Sequence, residues 1–176
     1  RAWVLAVSRG GRTALIKRNN AHPAKKKHTN KPRPGPVVAW TDAQRFQRRD
    51  FEFALALRTL AEAKGIVASA SFPISSVHGA YYAMHHCAIA SILASGGVGK
   101  SKSFPESHLG VIEHFSKVSE KIGDRLAGAG AKLNYAFELR KSADYGIGRE
   151  ITHEIAQEVV AVASEFIEVC RAQWSL

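Results

Sequence analysis

The chain has 176 residues and a net charge of +10, and its length suits one domain of ordinary size with a tail. The positive charge is local, because residues 1–40 contain ten Lys or Arg and no acid, whereas residues 41–176 contain fifteen basic and fifteen acidic residues. This distribution argues against a folded domain with a broad nucleic-acid-binding face, and the lack of any run of eighteen apolar residues argues against a transmembrane helix.

The N-terminal segment, residues 1–40, is predicted to be a disordered tail that precedes a helical domain at residues 41–176. The tail is rich in Lys, Asn and Pro and shows no apolar periodicity after Leu15. Three interpretations are open: a non-native or fragmentary start, an RNA- or DNA-binding arm, and a transit-like presequence. We favour the first, because the chain begins with Arg and contains no methionine before Met84.

The first half of the domain predicts two helices, and the second of them is the centre of the fold. The first helix begins after an N-cap at Thr41 and ends at a C-terminal cap, Gly65. The second occupies most of residues 72–97, with Ser75 or Ser76 as its N-cap. It is apolar over more than half its circumference, which indicates packing on several sides. The apolar stripe of the first helix comprises Phe46, Phe53, Leu57 and Leu60.

The second half predicts three more helices, at about residues 106–122, 131–142 and 150–173, separated by joints that contain glycine. No segment alternates with the two-residue period of a strand. We therefore predict an all-α fold, an up-and-down bundle of about five helices. The residues expected to face the core from these three helices are Leu109, Ile112, Phe115, Val118, Ile122, Leu133, Phe137, Leu139, Ile151, Ile155, Val159, Val162, Phe166 and Val169.

Cysteine usage indicates a reducing compartment. Cys87 and Cys170 both lie on apolar helix faces, and we expect them to be buried free thiols of a cytoplasmic protein rather than a disulfide. No Cys/His spacing resembles a zinc site, so neither a metal nor another cofactor is expected.

Three segments, YYAMHHCAIASILASGG, KSKSFPESHLGVIEHF and AFELRKSADYG, occur in an order and spacing that resemble the HEPN domain superfamily. The resemblance extends over about residues 42–172 and is nearest to a small prokaryotic branch with a YYAM helix and an R-x-x-ADY motif. It implies an up-and-down bundle of four to five helices that is usually a homodimer. It also implies a gene beside a minimal nucleotidyltransferase in a toxin–antitoxin or defence module, and several members are metal-independent ribonucleases.

The ribonuclease motif of that superfamily is an arginine followed by a histidine after four to six intervening residues, set in a cleft between two protomers. The arginine stabilises the phosphorane charge and the histidine moves the proton of the attacking 2′-hydroxyl. Arg140 matches the arginine, but Tyr145, Gly146 and Ile147 occupy the positions at which the histidine would stand. A tyrosine is a poor base at neutral pH, so this departure argues against the standard chemistry.

The resemblance and the residue types together select a set of candidate site residues. Arg140, Asp144 and Tyr145 have two further interpretations, a structural set that closes the helix end and a tyrosine that accepts a nucleotidyl group from a partner enzyme. The candidate catalytic residues are Arg140, Tyr145 and His108, and the candidate nucleotide- or RNA-binding residues are Arg140, Asp144, Tyr81, Tyr82 and His85.

The histidines and the tyrosine pair also have structural interpretations. Successive helical residues lie about 100° apart, so one of Tyr81 and Tyr82 is expected in the core and the other toward a cleft. We expect His85 to be an interior histidine. His108 is expected to make a helix-terminus hydrogen bond or, alternatively, to join Arg140 as a displaced base. The remaining histidines of the domain, expected to face solvent, are His78, His114 and His153.

Two functions from different classes follow. The first is a HEPN component of a two-gene module that acts as a dimer and binds a nucleotidyltransferase, a nucleotide or RNA. The second is a metal-independent endoribonuclease toxin that uses Arg140 with a non-standard base. A plainer third is a scaffold whose polar cluster only holds the fold.

Overall fold

The computed structural model describes residues 4–7, 13–16, 40–96, 104, 107–146 and 148–176. The chain divides into two compact units, Arg1–Gly35 and Pro36–Leu176. In the first unit, β1 (Val4–Val7) pairs antiparallel with β2 (Thr13–Ile16). The prediction contained no strands, so it is wrong here. The two strands are short apolar runs, and the sequence between them contains a Gly-Gly pair, which is a hairpin signal. Residues 1–3, 8–12 and 17–39 of the tail lie outside the described residues, so their disorder stays a prediction.

The second unit is a bundle of five helices, which confirms the predicted fold class. The helices are α1 (Asp42–Ala68), α2 (Pro73–Ala94), α3 (His108–Ile122), α4 (Ala129–Tyr145) and α5 (His153–Trp174), with a short 3₁₀ turn at Asp124–Leu126. The helix α2 packs against all four others. Within the described part of the chain, no helix is long and apolar enough to cross a membrane.

The central position predicted for α2 is confirmed by its burial. Fourteen of its 22 residues are buried, including almost every residue from Cys87 to the end of the helix. Small residues permit this packing: a Cβ added at Gly79 would lie 2.9 Å from the Cβ of Ala63 on α1. Cys87 and Cys170 are both buried and free, as predicted. Burial and the neighbouring Cys170 raise the pKa of Cys87 well above its ordinary value, so this thiol is an unreactive core group.

Two predicted ends of helices are wrong. The Thr41 cap is confirmed, since its hydroxyl accepts a hydrogen bond from Gln44 N and the Gln44 side chain accepts one from Thr41 N. However, α1 continues through Gly65 to Ala68, because Val67 packs against the core and offsets the modest cost of an interior glycine. The helix α2 begins at Pro73, since proline suits the first helical position, and not after Ser75 or Ser76.

Several residues predicted to face the core are exposed instead. The buried side of α1 is formed by Glu52, Phe53, Ala56, Leu60 and Ala63, so small alanines replace two of the predicted aromatic or aliphatic contacts. At 100° per residue, the buried face of α1 is rotated about the helix axis relative to the predicted stripe, and Phe53 and Leu60 are the residues that the two share. The residues of the predicted stripes that are exposed are Phe46, Leu57, Leu109 and Val169.

Candidate phosphate-binding site

A strip of polar and aromatic side chains runs along the N-terminal half of α2. Tyr81 and His85 form one row at a four-residue step, and Tyr82 and His86 form the next. The helices α1 and α4 and the first residue of α3 contribute the remaining groups, which are polar or charged. This half of α2 therefore differs from the apolar half that follows Cys87.

The centre of the strip is a hydrogen bond between α2 and the start of α3. The hydroxyl of the fully buried Tyr81 lies 2.7 Å from Nδ1 of His108 and 3.4 Å from Nδ1 of the buried His85. The two imidazole rings lie 4.7 Å apart, centroid to centroid. His108 is the first residue of α3, where Ser107 provides the cap, so its ring bonds to Tyr81 and not, as predicted, to the helix terminus.

The electrostatic surroundings keep both of these histidines neutral near pH 7. Burial, together with the neighbouring His108 and His86, lowers the pKa of His85 to about 4. Burial, Arg140 and His86 lower the pKa of His108. Burial and the nearby Tyr82 raise the pKa of Tyr81, so its hydroxyl retains its proton.

Arg140 is positioned on α4 beside this cluster. Its Nη2 lies 2.8 Å from Oδ2 of Asp144, one turn further along the same helix, and its guanidinium carbon lies 6.0 Å from the centre of the Tyr82 ring. Asp144 Oδ1 also lies 2.7 Å from Nε2 of His78, which is an ion-pair distance without hydrogen-bond alignment. The Arg140 Nε is buried without a hydrogen-bond partner among the described residues, whereas the side chain as a whole is 21% exposed, so solvent reaches other parts of it.

Glu52 on α1 was not predicted as a site residue. Its side chain is only 1% exposed. Its Oε2 forms a 2.6 Å hydrogen bond with Nδ1 of His86, and its Oε1 contacts Arg48. Burial raises the pKa of Glu52, but the His86 bond and charge and the Arg48 charge outweigh it, so the net pKa is lowered. Its spacing to Arg48 is no signal of a site, because the solvent-exposed pair Arg58 and Glu62 has the same spacing.

The structure brings together six of the seven predicted site residues. Tyr81, Tyr82, His85, His108, Arg140 and Asp144 lie in one contiguous cluster, and the split of the tyrosine pair is confirmed, with Tyr81 buried and Tyr82 partly exposed. Tyr145 is the exception: its side chain is 68% exposed and makes no hydrogen bond, ion pair or ring contact with the described residues.

The three histidines expected to face solvent are each partly buried. His78 is held against Asp144, so the prediction for it is wrong, because α2 and α4 pack closely at this end. His114 and His153 also have intermediate exposure and lie outside the strip.

The chemistry available to this cluster is the binding of an anion. A partly exposed guanidinium, a neutral imidazole and an aromatic ring are groups that hold a phosphate and an adjoining base. Among the residues that the structure describes, no group of three or more His, Cys, Asp or Glu side chains is arranged to hold a metal ion.

Comparisons with known proteins agree with the helical arrangement. The HEPN domain family matches residues 53–173. The chain is also similar to a UPF0332 protein of Archaeoglobus fulgidus, with 34% identity over 89 residues, which are 51% of this chain and 66% of that protein. The aligned part of the chain thus spans slightly less than two thirds of that relative's length. Because the family match covers well over half of the chain and includes all or part of every helix in the bundle, the chain belongs to the HEPN domain family.

Proposed function

We propose that this chain is the HEPN component of a toxin–antitoxin or defence-type module and that the strip around Arg140 binds a phosphate group of a nucleotide or of RNA. The observation that carries the proposal is the position of the partly exposed guanidinium of Arg140 beside the neutral His108 and the partly exposed ring of Tyr82. Arginine binds phosphate through several fixed donors, and an exposed aromatic ring can stack with a base.

The experiment is a titration of the full chain with AMP, with ADP and with a short single-stranded RNA by calorimetry at 150 mM salt, which weakens contributions from the basic tail. Arg140→Gln should lower the affinity by about tenfold or more, since a charged hydrogen bond contributes roughly 1.5–3 kcal/mol. Arg48→Gln is the matched control, because it removes an arginine with the same spacing to an acid on α1. Equal affinities for the wild-type chain and Arg140→Gln would refute phosphate binding at this site.

Dimerisation and binding of a minimal nucleotidyltransferase are parts of the same proposal that family membership supports. Sedimentation of the full chain tests the first, with a dimer expected. Co-expression with a nucleotidyltransferase encoded by a neighbouring gene tests the second, with co-purification expected. In the same co-expressed sample, mass spectrometry of Tyr145 tests whether its exposed hydroxyl accepts a nucleotidyl group, and an unmodified Tyr145 would exclude that role.

The alternative function is a metal-independent endoribonuclease in which His108 replaces the missing motif histidine. It is favoured by the proximity of His108 to Arg140, whose charge contributes to the lowered pKa of His108. Cleavage of a mixed RNA in EDTA by the full chain, lost in both Arg140→Ala and His108→Gln, would support it. Growth arrest on expression that Arg140→Ala abolishes would agree with it. RNA left intact by the wild-type chain would exclude it under those conditions.

A further inference from the structure

The Tyr81 hydroxyl determines which nitrogen of His108 carries the proton. We propose that Tyr81 donates to Nδ1 of His108 and thereby fixes the tautomer with a protonated Nε2, so that His108 and Arg140 present N–H donors to one phosphate group. The ligand class rests on the proposed function, whereas the role of Tyr81 rests on the contacts within the cluster. Tyr81 is accordingly a positioning residue, and His108 a phosphate-binding one.

The distances around the Tyr81 oxygen favour one direction for its hydrogen bonds. A phenol has one proton to donate, and the two available acceptors are Nδ1 of His108 at 2.7 Å and Nδ1 of His85 at 3.4 Å. A distance of 2.7 Å is ordinary for a strong O–H donor, whereas 3.4 Å is long for one. The proton therefore points to His108, and His85 makes the weaker contact by donating its own Nδ1–H to the Tyr81 oxygen.

This arrangement is held rigidly by the packing of the elements. Tyr81 is fully buried, and its ring also packs against Phe137 of α4, with 5.6 Å between the ring centroids. Phe137 stacks on His108 as well, at 6.1 Å. The imidazole of His108 is thus fixed on its Nδ1 edge and on one face. Its Nε2 lies on the opposite side of the ring from Nδ1, so it is the nitrogen left for a ligand.

The tautomer decides between the two functions considered above. A neutral histidine with a protonated Nε2 donates a hydrogen bond to a phosphate oxygen, and it has no lone pair there to accept the proton of a 2′-hydroxyl. Arg140 supplies the positive charge for the same phosphate, and Asp144 occupies only one end of its guanidinium. This tautomer therefore favours phosphate binding over RNA cleavage with His108 as the base.

The first measurement is a long-range ¹H–¹⁵N correlation spectrum of the histidine-labelled full chain at pH 7.5, with His108 assigned through His108→Gln. The expected spectrum shows a protonated Nε2 and an unprotonated, hydrogen-bonded Nδ1. Tyr81→Phe should keep the ring packing but release the tautomer, so that the Nδ1 and Nε2 signals both move toward the average of the two tautomers. Tyr135→Phe, which removes a hydroxyl bound to Glu158 elsewhere, should leave both signals unchanged. A proton on Nδ1 in the wild-type chain would overturn the proposal and restore His108 as a candidate base.

The second measurement is AMP affinity in His108→Ala and His108→Gln. The amide nitrogen of glutamine can stand near the position of Nε2, so the donor role predicts a loss of about fivefold to tenfold in the alanine variant and less than about threefold in the glutamine variant. Equal losses in both variants overturn the donor role. The proposed function is overturned if the wild-type chain binds none of AMP, ADP and RNA, or if Arg140→Gln leaves their affinities unchanged. The spectrum tests the tautomer separately, so the tautomer can fail while Arg140-dependent binding persists.

Discussion

The helices α1 and α4 each present an arginine and an acid, four residues apart, to a histidine of α2, and the two sets differ mainly in burial. On α1 the set is Arg48, Glu52 and His86, and the Glu52 side chain is 1% exposed. The corresponding set on α4 is Arg140, Asp144 and His78, and the Asp144 side chain is 19% exposed. Similar side chains at the same spacing thus lie in two different environments at the two sides of one strip.

The difference favours a structural role for the set on α1 and, under the proposed function, a ligand-binding role for the set on α4. Both oxygens of Glu52 have partners, and its pKa is lowered in spite of its burial, so the carboxylate is satisfied as a charged group. Arg140, in contrast, keeps a buried Nε with no hydrogen-bond partner among the described residues. An unsatisfied buried donor costs stability, and the rest of this side chain, unlike the Glu52 carboxylate, is partly exposed to solvent.

The largest expected effect is on stability, from removing each acid in turn. Glu52→Ala should lower the free energy of unfolding by about 2–4 kcal/mol, because it leaves His86 and Arg48 without a buried partner. Asp144→Ala should lower it by less than about 1 kcal/mol, because its ion pair with Arg140 is partly exposed. Urea unfolding of both variants of the full chain, followed by circular dichroism, measures the difference. Equal losses would remove the distinction between the two sets.

The next effect is on the pH dependence of stability and comes from the interior of the strip. The pKa of His85 is about 4, well below its ordinary value of 6.5, so the unfolded chain takes up this proton first as the pH falls. Stability is then fully present above about pH 6.5 and is lost toward pH 4, with about 2 kcal/mol lost between pH 7.5 and 5. The lowered pKa of His108 acts in the same direction. Urea midpoints across this range should fall less steeply in His85→Asn, and identical slopes would contradict the assignment.

The fold was predictable because the apolar periodicity of its helices is strong. Phe115, Ile155, Val159 and Phe166 all lie in the core at the expected steps. Periodicity alone did not identify which of two neighbouring faces is buried on α1, because that depends on partners: Ala56 and Ala63 are buried, while the larger Leu57 is exposed. A propensity rule also placed the end of α1 at Gly65, although packing continues the helix beyond it.

The site was predictable in its members and not in its connections. The sequence motifs selected Arg140, His108 and Tyr81, but they contained no information on the hydrogen bond between Tyr81 and His108, which are 27 positions apart. Glu52 was missed because a charged residue on an amphipathic helix is usually solvated, and only the packing of α1 on α2 shows that it faces His86. Tyr145 was selected by its position after Arg140, yet at the end of α4 its side chain faces away from the cluster into solvent.

The smallest expected effect is on ligand affinity and comes from Asp144, which competes with a phosphate for Arg140. Asp144→Asn keeps the size of the side chain and removes a negative charge 2.8 Å from Nη2 of Arg140. If the proposed function holds, the Kd for AMP should fall by about threefold, which corresponds to roughly 0.7 kcal/mol, the size of a partly exposed charge interaction. Calorimetry at 150 mM salt measures the change, and the urea midpoint checks that the fold is intact.

Glu52→Gln is the control, because it removes a charge from the other set and should leave the affinity for AMP unchanged. A higher Kd in Asp144→Asn would mean that Asp144 orients Arg140 toward the ligand and does not compete with it, as in sites where a second side chain fixes an arginine. In that case both sets would be structural supports, and the unpartnered Nε of Arg140 would be the remaining difference between them.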